Sequence, residues 1–150
     1  MDAVDRHILA VLQQDGRLTL TELAGRVGLS VSPCHRRLRE LERSGVIRGY
    51  RAVVDAEALG LGFEVLAFVT MRQEDRDTLL GFEEGLVAIP EVRHAERLFG
   101  DPDYLLRILT TDLAAYQRLE DDHLTALPGV QRITSTLVMK RIVQDRPIPA

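Results

Sequence analysis

Apolar residues recur at helical spacing in three segments of the N-terminal third, and this periodicity predicts three helices. The predicted helices span residues 2–14, 19–28 and 30–43. After Gly45, apolar and polar residues alternate from Val46 to Arg51. Such alternation is typical of a half-buried strand, so we expect a wing to follow the third helix.

The residues between the second and third helices predict a tight turn. Thr19, with a glutamate three residues later, fits a capping box at the start of the second helix. Gly28 falls where that helix must end. Ser30 or Ser32 can cap the third helix, and Pro33 is tolerated only in its first turn. Two helices around a tight turn, the second with a cationic outer face, form the helix-turn-helix pattern, whose second helix enters the major groove of DNA.

Charge is unevenly distributed along the chain. The formal net charge is −4, which is unusual for a protein that binds nucleic acid. Residues 1–60, however, carry nine arginines and eight carboxylates, whereas residues 61–150 carry ten basic residues and fifteen carboxylates. The basic surface is therefore local, as phosphate binding requires.

We expect the third helix and the segment after it to contact DNA. Cys34, Leu38 and Leu41 share the apolar face of this helix, and arginines lie away from it. Arginine pairs bidentately with guanine, and arginines after the helix would touch phosphates. The alternative is a solvated basic helix in an ordinary helical domain. The predicted DNA-binding residues are Ser30, Ser32, Pro33, His35, Arg36, Arg37, Arg39, Arg48 and Arg51.

Beyond residue 62, strand-like and helix-like segments follow in the order β-α-β-β-α-β. We expect strands at residues 63–72, 91–99, 104–109 and 130–143, and helices at 77–88 and 112–123. This order predicts a ferredoxin-like antiparallel sheet with both helices on one face. The first strand is apolar on both faces, so the face without helices is a candidate surface for another subunit.

The predicted fold class is therefore α+β, with two domains. We expect a winged helix-turn-helix domain over residues 1–54, a linker over 55–62 and the ferredoxin-like domain over 63–150. No apolar run is long enough for a membrane span, and the acidic N-terminus does not fit a secretory signal. The single cysteine, Cys34, cannot form an internal disulfide, which favours a reducing cytoplasm. Cys34 is either a small buried hydrophobe or a redox-sensing thiol.

Enzymes and metalloproteins are disfavoured because their usual signatures are missing from the sequence. The four histidines are scattered, and no metal-ligand spacing or glycine-rich phosphate loop accompanies them. His94 and Glu96 lie two apart on a predicted strand and are the acid–base pair that the spacing offers. We therefore predict no enzyme activity, no metal and no cofactor.

The two halves together resemble the Lrp/AsnC family, the feast/famine transcription regulators of bacteria and archaea. The resemblance extends over nearly the whole chain, and its motifs are specific in this order and spacing. They are Asp5-Arg6 and Ile8-Leu9; Leu23-Ala24 and Val27 to Ser30; Ser32 to Cys34 with Arg36 to Leu38; Leu41-Glu42, Gly45 to Ile47 and Gly49-Tyr50; Gly100-Asp101 with Asp103 to Leu106; and Leu127 to Val130.

The resemblance implies a DNA-binding transcriptional regulator that forms dimers and ring-like tetramers or octamers. It also implies that an amino acid or related metabolite binds between dimers, near the loop from Gly100 to Tyr104. Phe99 departs from the family, because many relatives carry a small hydroxyl residue there. The alternative is that the loop is only a turn and that the C-terminal domain oligomerises without an effector. The predicted effector-binding residues are Phe99, Gly100, Asp101, Pro102, Asp103, Tyr104, Thr134 and Thr136.

Overall fold

A computed structural model describes residues 1–149, which separate into two compact units. One unit comprises Met1–Val53 and the tail from Ile142 onward, and the other comprises Val54–Arg141. The tail joins the first unit through Gln13, whose amide exchanges two hydrogen bonds with the backbone of Ile148, at 3.0 and 2.7 Å. The domain bounds of 1–54 and 63–150 remain a prediction.

The first unit contains the three helices that the periodicity predicts. They are α1 (Ala3–Gln14), α2 (Leu20–Arg26) and α3 (Val31–Arg43). Thr19 and Glu22 form the predicted capping box, and Gly28 has the positive φ of 69° that a tight helix-to-helix turn favours. For α3, Ser30 occupies the predicted N-cap but its side chain makes no capping hydrogen bond, and the alternative, Ser32, lies inside the helix.

The predicted strand from Val46 to Arg51 does not form, although the segment occupies the position of a wing. Its residues have no strand conformation. Instead Ile47 donates its N–H to the carbonyl oxygen of Leu41 at 3.0 Å. Alternation alone was not sufficient, because a strand needs a partner and the described residues of this unit contain no other strand.

The second unit has the predicted β-α-β-β-α-β order. Its elements are β1 (Phe63–Met71), α4 (Arg76–Val87), β2 (Val92–Arg97), β3 (Tyr104–Thr110), α5 (Leu113–Leu119) and β4 (Val130–Leu137). The sheet order is β2-β3-β1-β4, and every neighbouring pair is antiparallel. This is the ferredoxin-like arrangement, so the α+β fold class is confirmed.

Several element ends differ from the prediction for local reasons. β4 stops at Leu137 rather than at residue 143. Leu137 pairs with Val65 in the antiparallel register, and β1 begins at Phe63, so residues beyond Leu137 soon have no strand partner. α4 begins at Arg76 rather than at residue 77, because Asp75 caps it and its carboxylate accepts the Thr78 N–H at 3.1 Å. α5 ends at Leu119 and continues as one π-helical turn.

The two faces of the sheet have different surroundings. Val65, Ala67 and Val69 are fully buried in the core with residues of α4 and α5. Leu66 and Phe68 point to the opposite face and are half-buried. Both faces are therefore apolar at the centre of β1, as the sequence predicts. Among residues 1–149, no helix is long and apolar enough to cross a membrane.

Candidate nucleic-acid interface and effector loop

The α3 helix presents one buried face and one exposed polar face. Cys34 and Leu41 are buried in the core of the unit. Ser32, Arg36 and Arg39 are exposed and lie three and four residues apart, so they form a single stripe along the helix. Among the described residues, the Arg36 and Arg39 guanidinium groups have no ion-pair partner within 4.0 Å, so their donors are free for an anionic or base-edge partner.

The other residues predicted to contact DNA lie around this stripe, with one exception. Ser30 and His35 are exposed near the start of α3, and Pro33 is half-buried in its first turn. Arg48 and Arg51 are exposed in the irregular segment that follows. The exception is Arg37, whose Nη1 donates to Asp2 Oδ2 at 2.7 Å and to Asp5 Oδ1 at 2.8 Å.

These contacts bear on the prediction that Arg37 binds DNA. Its side chain is 30% exposed and already engaged by two carboxylates. Hydrogen bonds to Asp5 and then Asp2 raise the pKa of Arg37. The pKa of Asp2 is lowered, first by the backbone N–H of Asp5 and then by Arg37. The structure therefore does not place Arg37 among the free donors of the helix.

The β2–β3 loop is tied to the sheet by Asp103. Leu98 donates its N–H to the Asp103 carbonyl at 2.7 Å, and Asp103 donates its N–H to the Val69 carbonyl at 3.0 Å. The Asp103 carboxylate accepts the Met71 N–H at 2.6 Å. One oxygen of this carboxylate is thus committed to the backbone of β1, which fixes the loop at the end of the sheet.

The predicted effector residues fall into two groups. Phe99 and Asp101 are exposed on the loop, and Gly100 has a φ of 139°, which few other residues adopt. Half-buried Pro102 and Asp103 complete this loop group. The structure brings these residues, 99–103, together. The remaining three predicted residues lie elsewhere.

Tyr104 belongs to the core rather than to the loop surface. Its side chain is 2% exposed, and its ring centroid lies 4.7 Å from that of Phe82. The hydroxyl donates to Glu83 Oε1 at 2.8 Å. Burial, with this carboxylate, raises the pKa of Tyr104 to about 12. The prediction that Tyr104 contacts an effector at the loop is at odds with this placement.

Thr134 and Thr136 lie on the open face of β4. Thr134 pairs with Phe68 and Thr136 with Leu66. Leu105, the first open-face residue after the loop, pairs with Phe68 on its other side. Two strand spacings, about 10 Å, therefore separate Thr134 from Leu105. Within one chain the two threonines and the loop do not form a common pocket.

Sequence reasoning missed a buried carboxylate on the open face of the sheet. Glu64 is 10% exposed and forms ion pairs with Arg107 and Arg141. Burial opposes its ionisation, but the hydrogen bonds from the two arginines prevail and lower the pKa of Glu64. The sequence does hold a signal for this position. Glu64 and Leu66 are two residues apart in β1 and therefore share the open face, while Val65 between them faces the core.

The acid–base pair considered in the sequence does not form a catalytic site. His94 and Glu96 line the same small open-face cavity as Arg107 and two leucines. No hydrogen bond joins the His94 and Glu96 side chains within the described part of the chain. In the same part, no three His, Cys, Asp or Glu side chains cluster as metal ligands would.

The chain combines a helix-turn-helix unit, which carries a free basic stripe, with a ferredoxin-like unit. This combination defines a class of DNA-binding regulators with an attached second domain. Family models agree with this assignment. Residues 1–48 match the winged helix-turn-helix DNA-binding model, and residues 64–148 match the Lrp/AsnC ligand binding domain. The chain belongs to the Lrp/AsnC family of DNA-binding transcriptional regulators. Because its relatives are transcriptional regulators, the prediction that it is not an enzyme is confirmed.

Individual relatives are similar over nearly their whole length. The chain is 41% identical over 143 residues to the Bkd operon transcriptional regulator of Pseudomonas aeruginosa, covering 95% of this chain and 94% of the relative. It is 39% identical to the leucine-responsive regulatory protein of Rhizobium meliloti, covering 95% and 91%. A crystal structure of a Neisseria meningitidis transcriptional regulator in complex with L-methionine matches with a TM-score of 0.95 and 38% identity, covering 99% and 96%.

Proposed function

We propose that the chain recognises specific duplex DNA through α3, acts as a dimer, and responds to an amino acid bound at the 99–103 loop. The observation that carries the DNA part is the stripe of exposed donors on the second helix of the helix-turn-helix. Arg36 and Arg39 are free to pair with guanine, and each such pair discriminates by about 1–3 kcal/mol. Arg48 and Arg51 contact phosphates and set the register rather than the sequence.

Dimer formation is supported by the open face of the sheet. Its two central strands carry four half-buried apolar residues on this face, beside the Glu64–Arg107 ion pair, namely Leu66, Phe68, Leu105 and Leu109. A sheet that is apolar on both faces requires cover on both. A second copy supplies that cover, and a two-fold dimer presents two α3 helices to half-sites separated by whole turns of DNA.

The effector part is supported by the loop and by one relative. The similar regulator from Neisseria meningitidis was crystallised with L-methionine, so an amino acid is the ligand class that we propose here. Exposed Asp101 offers a carboxylate for an ammonium group, while Gly100 allows close backbone approach. Exposed Phe99 offers apolar contact for a side chain. A ligand pocket that also uses Thr134 and Thr136 requires residues from more than one chain.

The DNA part is tested with a duplex that the wild-type chain selects from a randomised library, using fluorescence anisotropy over a range of salt concentrations. Arg36→Met and Arg39→Met should each weaken binding, and the matched control Arg118→Met, an exposed arginine of α5, should not. Each phosphate contact contributes about 0.9 to the slope of log affinity against log salt. Equal affinity for selected and scrambled duplexes would refute sequence-specific recognition.

The effector part is tested by calorimetry with a panel of L-amino acids, with each D-enantiomer as control. A bound amino acid should also change the sedimentation profile or the affinity for the selected duplex. Asp101→Asn should abolish that response while leaving DNA binding without ligand unchanged. If no amino acid binds, the second unit serves oligomerisation alone. Two observations favour this alternative: the side chain of Tyr104 is buried, and the carboxylate of Asp103 is already bonded to the backbone of β1.

A further inference from the structure

Three charged side chains join the beginning of α1 to the middle of α3. Asp2 is the N-cap of α1, and Asp5 is the third residue of its first turn. The two aspartates form a reciprocal capping box: Asp2 Oδ1 accepts the Asp5 N–H at 3.0 Å, and Asp5 Oδ2 accepts the Asp2 N–H at 2.8 Å. Arg37 Nη1 donates to the remaining oxygen of each carboxylate. We call these three residues the cap triad.

The cap triad leaves each carboxylate with one oxygen on the helix cap and one on the arginine. Without Arg37, the carboxylates of Asp2 and Asp5 would face each other without a counter-charge, which is unfavourable for neighbouring like charges. The Asp5 side chain is only 15% exposed, so its charge is partly removed from water. Leaving the triad is therefore costly for Arg37, whereas Arg36 has no such partner.

The position of Arg37 on α3 makes this contact relevant to DNA recognition. Successive residues on a helix are about 100° apart, so fixing the direction of Arg37 fixes the directions of Arg36 and Arg39 as well. A cap at the first turn of α1 is a rigid anchor, because its backbone groups are already satisfied. The triad thus sets the rotation of α3 about its own axis.

We propose that Asp2, Asp5 and Arg37 act together as a positioning element that orients the DNA-reading face of α3, and that Arg37 is not itself a DNA contact. This inference depends on the proposed function, since it assumes that α3 reads DNA. It assigns two acidic residues of α1 a role in supporting the binding of a polyanion.

The effect of Asp5→Asn on DNA affinity distinguishes this proposal from simple electrostatics, because the two predict changes in opposite directions. Asp5→Asn removes a negative charge from a DNA-binding unit, which by electrostatics alone strengthens binding to phosphates. Asparagine retains a side-chain oxygen for the Asp2 N–H but turns an amide toward Arg37 in place of an anion. The proposal therefore predicts weaker binding to the selected duplex, by about tenfold, the scale of one lost base contact.

The matched control is Glu40→Gln, which removes an exposed acid of α3 that pairs with Arg43 alone. It should bind DNA as tightly as the wild type or more tightly. Arg37→Met should weaken binding like Asp5→Asn, and Arg37→Lys should restore part of the loss because it returns the cation. The salt slope of Arg37→Met should equal that of the wild type, whereas a phosphate-contacting arginine would lower it by about 0.9.

All affinities are measured below the unfolding transition of each variant, as established by circular dichroism. A double-mutant cycle between Asp5→Asn and Arg37→Met, read from urea unfolding without DNA, should show that the two side chains are coupled. Tighter or unchanged binding by Asp5→Asn, or a reduced salt slope for Arg37→Met, would overturn the proposal. Coupling in the cycle together with no wild-type preference for the selected duplex would instead overturn the proposed function on which it depends.

Discussion

Gly129 precedes β4 in a crowded turn, and adding one methyl group there tests how tightly the second unit is packed. A Cβ at this position would lie 2.3 Å from Thr78 Cγ2 and 2.9 Å from Met71 Cε. Met71 can adjust the end of its flexible side chain. Thr78 cannot rotate freely, because its hydroxyl donates to the Asp75 carboxylate at 2.7 Å in the cap of α4. Relieving the contact therefore breaks a cap or displaces the turn.

The expected loss of stability combines two penalties. Gly129 has a φ of 74°, and an L-residue in this left-handed region costs about 1–2 kcal/mol. Overpacking of a well-filled site costs typically about 1–3 kcal/mol, while restricting the unfolded chain returns about 0.4–1 kcal/mol. We therefore expect Gly129→Ala to lower the free energy of unfolding by about 2–4 kcal/mol.

Two other glycines provide matched controls. Gly60 belongs to the same unit and has a φ of 75°, but a Cβ there meets nothing within 4 Å, so Gly60→Ala should cost only about 1 kcal/mol. Gly25 lies inside α2 with open space around it, and Gly25→Ala should stabilise by about 0.5–1 kcal/mol.

The assay is urea unfolding followed by circular dichroism and tyrosine fluorescence. Tyr104 and Tyr116 are buried in the second unit, whereas Tyr50 of the first unit is 52% exposed. The change in tyrosine environment on unfolding therefore reports chiefly on the second unit. Equal losses for Gly129→Ala and Gly60→Ala would show that the turn yields without cost, and the packing argument would then be wrong.

Three further predictions concern single polar groups. The pKa of Glu64 is below its ordinary value of 4.5 in the folded state, so its ion pairs stabilise the fold above that value and are lost as pH falls through the folded pKa. Urea unfolding across this range should show a larger loss of stability in the wild type than in Glu64→Gln, which retains only the losses from other carboxylates with lowered pKa values, such as Asp75. Asp103→Ala leaves the Met71 N–H without its acceptor and should destabilise by about 1–3 kcal/mol, whereas Asp103→Asn, which keeps an oxygen, should lose less in the same assay. Burial raises the pKa of the Cys34 thiol, so a thiol reagent should label it only on unfolding, and rapid labelling of the native chain would favour the redox-sensing alternative.

Periodicity predicted most of the fold because the strongest elements are amphipathic. The order of strands and helices after residue 62 was predicted correctly, since β1 and β3 alternate cleanly between core and open face. The two strand predictions that were wrong share one cause. Residues 46–51 and 138–143 are rich in apolar residues, but a strand also requires a partner at the right register, and the sequence of one segment does not supply that information.

The candidate sites were harder to predict because residue type does not reveal side-chain partners. Arg36 and Arg37 are identical neighbours, yet one is free and the other is held by carboxylates that precede it by 35 and 32 residues. Tyr104 is different, because its position in the alternating pattern of β3 predicts which face of the sheet its side chain lies on. It alternates with Leu106 and Ile108, both fully buried, so a tyrosine in this phase belongs to the core.

The inward direction of Tyr104 limits which residues could contact an effector at the loop. A ligand at the 99–103 loop meets side chains that precede β3, since the first residue of that strand already points into the core. The loop side chains that are exposed and not bonded to the sheet are those of Phe99 and Asp101, because Asp103 holds the backbone of β1. Under the proposed function, specificity for the ligand side chain therefore depends on Phe99. Phe99→Ser should change which amino acid binds while leaving DNA recognition by α3 intact.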